Sequence, residues 1–215
     1  RIVKRTFPIP EISFDEAAEL AYFGAKILHP TCIRPAQVRK VPVRLLNTMH
    51  PEQKGTVINN RPADRDITAI AAKDGITAIK IKSSRMLQAH GFLRKVFEIF
   101  EKFKTSVDMI TTSEVAVSLT IDDAKNLDLI IAELKEFSNV VVDLDQTIIC
   151  VVGNFGRGKV GTSKRLFDAL EHTPVRMISY GGSLFNISIL IDGNSKNETL
   201  NVLNEKLFFH EEAVK

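Results

Sequence analysis

Cysteine is scarce in this 215-residue sequence: Cys32 and Cys150 cannot staple a fold of this size and read as reduced thiols, as in a cytoplasmic protein. Long apolar runs are missing as well. None approaches the roughly 20 residues needed to cross a bilayer, and no signal-peptide pattern opens the chain, so no membrane partner is expected. A surplus of one charge is lacking too. The 29 Lys and Arg stand against 26 Asp and Glu, a formal +3 spread along the chain without a dense basic stripe, which argues against nucleic acid as a partner. Histidines 29, 50, 90, 172 and 210 form no i,i+4 pair and no Cys-x-x-Cys accompanies them, so no metal site is expected. No Ser/His/Asp set stands out either. What is present, 44% hydrophobic and 26% charged residues, excludes disorder and suits one large or two small domains.

Ser13 followed three residues later by Glu16 makes a capping box, and Ala17, Leu20, Ala21, Gly24, Ala25 and Leu28 recur at helical spacing until Pro30 ends the helix. Val41 to Leu46 reads as a short strand; Asn47 to Asp66, broken by Pro51, Gly55 and Pro62, reads as linker. Beyond it the pattern changes. Residues 67–72 and 76–81 are predicted as two strands joined by an Asp74-Gly75 turn. An amphipathic helix over Phe92 to Phe103, β-type runs at 107–111 and 115–121, a helix over Leu127 to Phe137 and a strand at 140–144 follow. That order, strand, helix, strand, strand, helix, strand, is the ferredoxin-like βαββαβ unit.

The order then recurs: a strand at 147–152, a helix from Ser163 to Leu170, strands at 175–178 and 186–191, and a helix marked by Leu200, Leu203 and Leu207. Val107-Asp-Met-Ile110 matches Val175-Arg-Met-Ile178 at an offset of 68 residues, and the strand ending at Asp122 matches that ending at Asp192 at 70. The second copy lacks its closing strand, and the surplus strand at 67–72 can supply it. The expected fold class is therefore α+β, two ferredoxin-like units with the first inserted into the second.

Two stretches invite a ligand. In Gly153-Asn-Phe-Gly156-Arg-Gly158-Lys159-Val160-Gly161 the P-loop spacing fails at Val160, where a Mg²⁺-binding hydroxyl belongs. The dinucleotide fingerprint fails for want of an acid after the next strand, so a turn leading into a helix is the expected role. The second stretch is Met86-Leu-Gln-Ala-His-Gly91-Phe92, with Ser106-Val-Asp108 and Thr112-Ser113-Glu114 beyond it. A helix start offers free N–H groups to a carboxylate. Gly91 permits close approach, and Asp108 and Glu114 can pair with an ammonium group. Together they suit a zwitterionic amino acid carrying an extra positive charge; ordinary turn chemistry at a strand end is the competing reading.

Phe14-Asp-Glu16 through Phe23-Gly24-Ala-Lys26-Ile-Leu-His29-Pro30 closely resembles a helix signature of the aspartate kinases. Gly91-Phe-Leu, Ser106-Val-Asp108 and Ile110-Thr-Thr-Ser113-Glu114-Val115 resemble the regulatory ACT unit of the monofunctional lysine-sensitive class, and Gly153-Asn and Met177-Ile-Ser-Tyr-Gly181 resemble a second ACT unit. The resemblance implies an organisation: residues 1–60 as a remnant of the catalytic domain with a linker, 74–145 as the first, effector-binding ACT unit, and 66–73 with 146–209 as the second. The start at Arg1, without Met, fits a fragment lacking the family's Lys-Phe-Gly-Gly motif. It implies a parent enzyme that phosphorylates the aspartate side chain with ATP and Mg²⁺, with Arg1 and Lys26 on ATP and no catalytic residue or metal ligand in the fragment, which is expected to be inactive alone. It implies L-lysine as effector at an interface of a homodimer formed through the ACT units, contacted by Met86, Gly91, Phe92, Ser106, Val107, Asp108, Thr112, Ser113 and Glu114. Ala89 stands where relatives often have Ser, removing one polar contact worth about 0.5–1.5 kcal/mol. Two alternatives stay open: a module of this fold that responds to threonine or to no ligand, and a nucleotide-binding enzyme using residues 153–161.

Overall fold

The computed structural model describes residues 2–25, 29–61, 65–83, 90–156 and 160–209. Its first part is a small α/β layer. Strands β1 (Glu11–Ser13), β2 (Val43–Leu45) and β3 (Thr56–Asn59) form a sheet in the order β1-β3-β2, with β1 parallel and β2 antiparallel to β3. The linker expected over 47–66 thus contains a central strand, because Ile58 finds apolar partners on both sides, Ile12 and Val43. Helix α1 (Phe14–Tyr22) starts at the capping box: Ser13 Oγ accepts from the Glu16 N–H, and the Glu16 carboxylate accepts from the Ser13 N–H at 3.0 Å. It ends earlier than the periodicity predicts, at Phe23 and a Gly24 of φ +107°. Pro30, read as a stop, instead occupies the first position of helix α2 (Pro30–Arg39), where its missing N–H costs nothing.

The remainder is one six-stranded sheet in the order β5-β6-β4-β7-β9-β8. Its strands are β4 (Ile67–Lys82), β5 (Ile110–Thr112), β6 (Ala116–Ile121), β7 (Asn139–Gly153), β8 (Val175–Tyr180) and β9 (Asn186–Asp192). Helices α3 (Phe92–Lys102), α4 (Leu127–Lys135), α5 (Thr162–Ala169) and α6 (Lys196–Phe208) complete it. The repeat and the ferredoxin-like order are present, with a correction at the centre. Residues 67–72 and 76–81 are a single strand, and so are 140–144 and 147–152; Asp74-Gly75 does not turn the chain but makes a bulge. The chain cannot reverse there because both halves of β4 pair with the same antiparallel neighbour, β7.

The bulge decides which side chains face where. Before it, Ile70 and Ala72 face the core beneath α5 and α6, and Ala71 faces the other side. After it, Ile76 and Ala78 lie with Ala71, while Ile79 and Ile81 meet α3 and α4. Strict alternation would have placed Ile79 with Ala71, so the extra residue re-registers the second half. Asp145, seventy residues beyond Gly75, also has positive φ (54°, against 70°) and does the same in β7. The two long strands therefore serve both units, one half each. A third core of Ile76, Met109, Ile148, Cys150, Met177 and Leu190 fills the opposite face, where edge strands β5 and β8 come into contact and Phe23 of α1 seals the end.

Candidate functional site

Helix α1 is held to the large sheet by its acids and its last residue. Glu16 is fully buried, and its second oxygen accepts from Thr68 Oγ1 at 2.6 Å. Glu19 accepts from Ser183 Oγ at 2.7 Å and from Asn186 Nδ2, both at the β8–β9 connection. Tyr22, one turn on, donates its hydroxyl to Asp108 Oδ1 at 3.3 Å. One short helix is therefore bonded to both repeats.

Asp108 is the centre of this junction. It precedes β5, fixed by its own N–H on Thr120 O (2.9 Å) and by the Met109 N–H on Thr120 Oγ1. Its side chain is 2% exposed, and Oδ1 takes Lys73 Nζ at 2.8 Å. Lys73 lies at the β4 bulge and also bonds Asp122 Oδ2, just past β6, at 2.7 Å; its Nζ stands 5.1 Å from the Tyr22 ring centre. Asp108 Oδ2 is buried with no hydrogen-bond partner among the described residues. Burial pushes the Asp108 carboxyl up, Asp122 adds to this, and the bonds from Lys73 only partly offset it. Burial pulls Lys73 down, but its bonds to Asp108 and Asp122 outweigh that and leave it above the ordinary lysine range. Tyr22 is raised by burial and by the Asp108 charge.

The other expected site residues are dispersed by comparison. Gly91 caps α3 with φ +84°, matched by Gly161 (φ +89°) at the start of α5, as two copies of one turn. The Phe92 ring is buried on the helix side of the sheet, edge-on to Phe137 at 5.7 Å, and Val107 packs against the same core. Ser106, Thr112, Ser113 and Glu114 are exposed, with Ser113 N–H closing the β5–β6 turn on Ala116 O. The structure thus brings Asp108 together with Lys73, Asp122 and Tyr22 rather than with Glu114. Arg1, Lys26, Met86, Ala89 and Lys159 lie outside the described residues. Gly153, in the glycine-rich stretch, has a structural reason: a Cβ there would meet Asp66 O at 2.1 Å.

Sequence reasoning missed Lys73, Asp122, Tyr22 and Glu19. A signal was present in the repeat. Seventy residues beyond Lys73 stands Asp143, and the counterpart of Asp108 in the second copy is Arg176. Arg176 and Asp143 form an ion pair, so the same junction occurs twice with its charges exchanged.

Comparison with known proteins places this geometry. An ACT domain family model matches residues 149–207. Aspartokinase 1, chloroplastic, of Arabidopsis thaliana is 39% identical over 220 residues, covering 96% of this chain and 38% of that protein. Escherichia coli aspartokinase III, 35% identical, superposes with a TM-score of 0.87 in its complex with aspartate and ADP (R-state), covering 97% of this chain and 48% of that one. Its complex with lysine and aspartate (T-state) gives 0.81 over 93% and 46%. A structure described as a candidate C-terminal regulatory domain of aspartate kinase from Porphyromonas gingivalis W83 is 52% identical, with a TM-score of 0.60 over 65% of this chain and 96% of that chain. The chain spans less than half the length of the full aspartokinases it matches. Its paired ferredoxin-like units, and its identity to a domain covered almost end to end, make it a member of the aspartate kinase family, carrying the ACT-type regulatory region.

Proposed function

We propose that this chain is the feedback sensor of an aspartate kinase and that its effector is L-lysine, bound in the first ACT unit through Asp108. The observation that carries this reading is the match along nearly the whole chain to an aspartokinase captured with lysine. The charge exchange between the copies supports it. Asp108 offers a carboxylate to an ammonium, whereas Arg176 in the second copy repels one, so the reading confines a cationic effector to the first unit. We assign residues 1–60 to the catalytic remnant and linker, 74–145 to the effector-binding unit, and 66–73 with 146–209 to the second unit.

The parent enzyme in this reading transfers the γ-phosphoryl group of ATP to the aspartate side chain with Mg²⁺, in the cytoplasm, as a homodimer joined through its ACT units. Phosphoryl transfer needs cations positioned around the phosphates, and that work belongs to the parent's catalytic portion. This chain contributes regulation: L-lysine binds one conformation better and shifts the population toward it.

Calorimetric titration tests the effector. L-lysine should give saturable heats that Asp108→Ala weakens by about tenfold or more, and L-threonine should give none. Flat L-lysine heats at millimolar ligand, both in this chain and in its Lys73→Met variant, would refute the assignment. One observation favours a second reading, a module without an effector: Asp108 is already neutralised by Lys73. The same titration separates the two.

A further inference from the structure

We infer that Lys73 is a built-in competitor for the effector's side-chain ammonium, and that exchanging one for the other on Asp108 releases Tyr22 and with it helix α1. This rests on the L-lysine reading above and adds how the site is gated and read out.

The argument begins from accessibility. At 2% exposure the Asp108 side chain has no open face for a second ammonium while Lys73 Nζ stays 2.8 Å from it. A ligand must therefore displace Lys73 rather than join it. Displacement leaves no orphaned charge, because Lys73 already holds Asp122 at 2.7 Å, and that acid is 42% exposed, with water to share the load. Lys73 has two acids and needs one. Asp108, by contrast, has a buried oxygen without a partner among the described residues, which a ligand ammonium seated closer to Oδ2 would satisfy. Competitor and ligand carry the same primary ammonium on the same four-carbon stem, so the pocket that tolerates one is matched to the other.

The readout follows from the shared acceptor. Lys73 and the Tyr22 hydroxyl both bond Oδ1, so rotating the carboxylate toward a ligand weakens both. Helix α1 then keeps Glu16 on Thr68 and Glu19 on Ser183 but loses its hydrogen bond to the first unit, leaving only the apolar packing of Leu20 and Phe23 there. Effector occupancy is thereby converted into freedom at the end of α1, the helix that runs toward residue 26.

The test uses the 215-residue chain, with Lys73→Met and Lys73→Arg titrated with L-lysine and α1 amides followed by hydrogen exchange. A latch closed nine-tenths of the time raises the apparent Kd about tenfold, so Lys73→Met should bind about tenfold tighter, while Lys73→Arg stays near the parent. Exchange at Leu20 to Phe23 should quicken on adding L-lysine to the parent chain. In Lys73→Met, where the Tyr22 hydroxyl keeps Asp108 Oδ1 until a ligand turns the carboxylate, it should stay slow without L-lysine and quicken with it. Binding by Lys73→Met alone supports the latch as well. Parent binding with unchanged or weaker binding by Lys73→Met overturns the latch and leaves the effector reading standing. Absence of binding by both chains overturns both. Should Lys73→Met fail to fold, Asp122→Asn decides: it takes away the alternative acid and should weaken L-lysine binding several-fold, whereas unchanged affinity overturns the exchange.

Discussion

Asp108 and Lys73 are unequal partners, and substitutions should expose the asymmetry. Lys73→Met strands a buried carboxylate and is expected to cost about 1–3 kcal/mol in urea unfolding. Asp108→Asn keeps the shape, removes the buried charge and leaves Lys73 on Asp122, so its cost should stay under about 1 kcal/mol while L-lysine binding collapses. The pH dependence has a definite sign. Asp108 has a raised pKa in the folded chain, so its contribution to stability is full below the unfolded carboxyl value and is lost as pH rises through the folded one. Acidification should therefore weaken L-lysine binding through that window, as the ammonium loses its anionic partner, without Asp108 itself driving acid unfolding. Titrations and melts between pH 7 and 4.5 check this, and Asp108→Asn should erase that dependence of affinity. At the same scale, burial pushes the Cys150 thiol up to about 12, whereas Cys32 is exposed. Ellman's reagent should titrate one thiol in the native chain and two in denaturant.

At the scale of elements, the sequence was legible wherever local pattern and long-range pairing agree. The Ser13/Glu16 box starts α1 as read, and Phe92, Val96 and Phe100 lie on a buried helix face with Ile99, whereas Leu93 and Phe97 of the same apolar pattern are exposed. Reading failed where one local signal serves two geometries. Asp-Gly suits a tight turn and a bulge equally, since both need positive φ, and only the continuous partner β7 decides between them. Pro30 likewise suits a helix start as well as a stop. Asp108, the acid proposed for the effector, was visible as a strand-end carboxylate; its partner Lys73 was not, because it lies 35 residues away and meets Asp108 only through the sheet. Gly75→Val tests the bulge directly. A β-branched residue at φ +70° is strained although nothing lies within 4 Å of the added Cβ, so a loss of about 1–2 kcal/mol is expected from backbone conformation alone. Gly75→Asn, which tolerates left-handed backbone, should lose less than half of that.

For the whole molecule, the consequence of shared strands is cooperativity. Two repeats that merely followed one another could melt separately, each with its own core. Here β4 gives Ile70 and Ala72 to the second repeat and Ile79 and Ile81 to the first, and β7 crosses both in the same way. Releasing either half of β4 removes ladder partners from the matching half of β7, and the third core, which takes Ala71 from one half of β4 and Ile76 and Ala78 from the other, loses lining in either case. Partial unfolding of one unit therefore exposes apolar surface belonging to the other, which disfavours any half-folded state. Leu119→Ala in the first core and Ile189→Ala in the second, both at fully buried positions, should each cost about 2–5 kcal/mol. Both should shift the transition of the two-repeat sheet, and calorimetric and van't Hoff enthalpies for that transition should agree. If Leu119→Ala instead splits off an early transition while Ile189→Ala moves only a later one, the repeats are energetically separate, and α1 would then have to couple them alone through Glu19 and Tyr22.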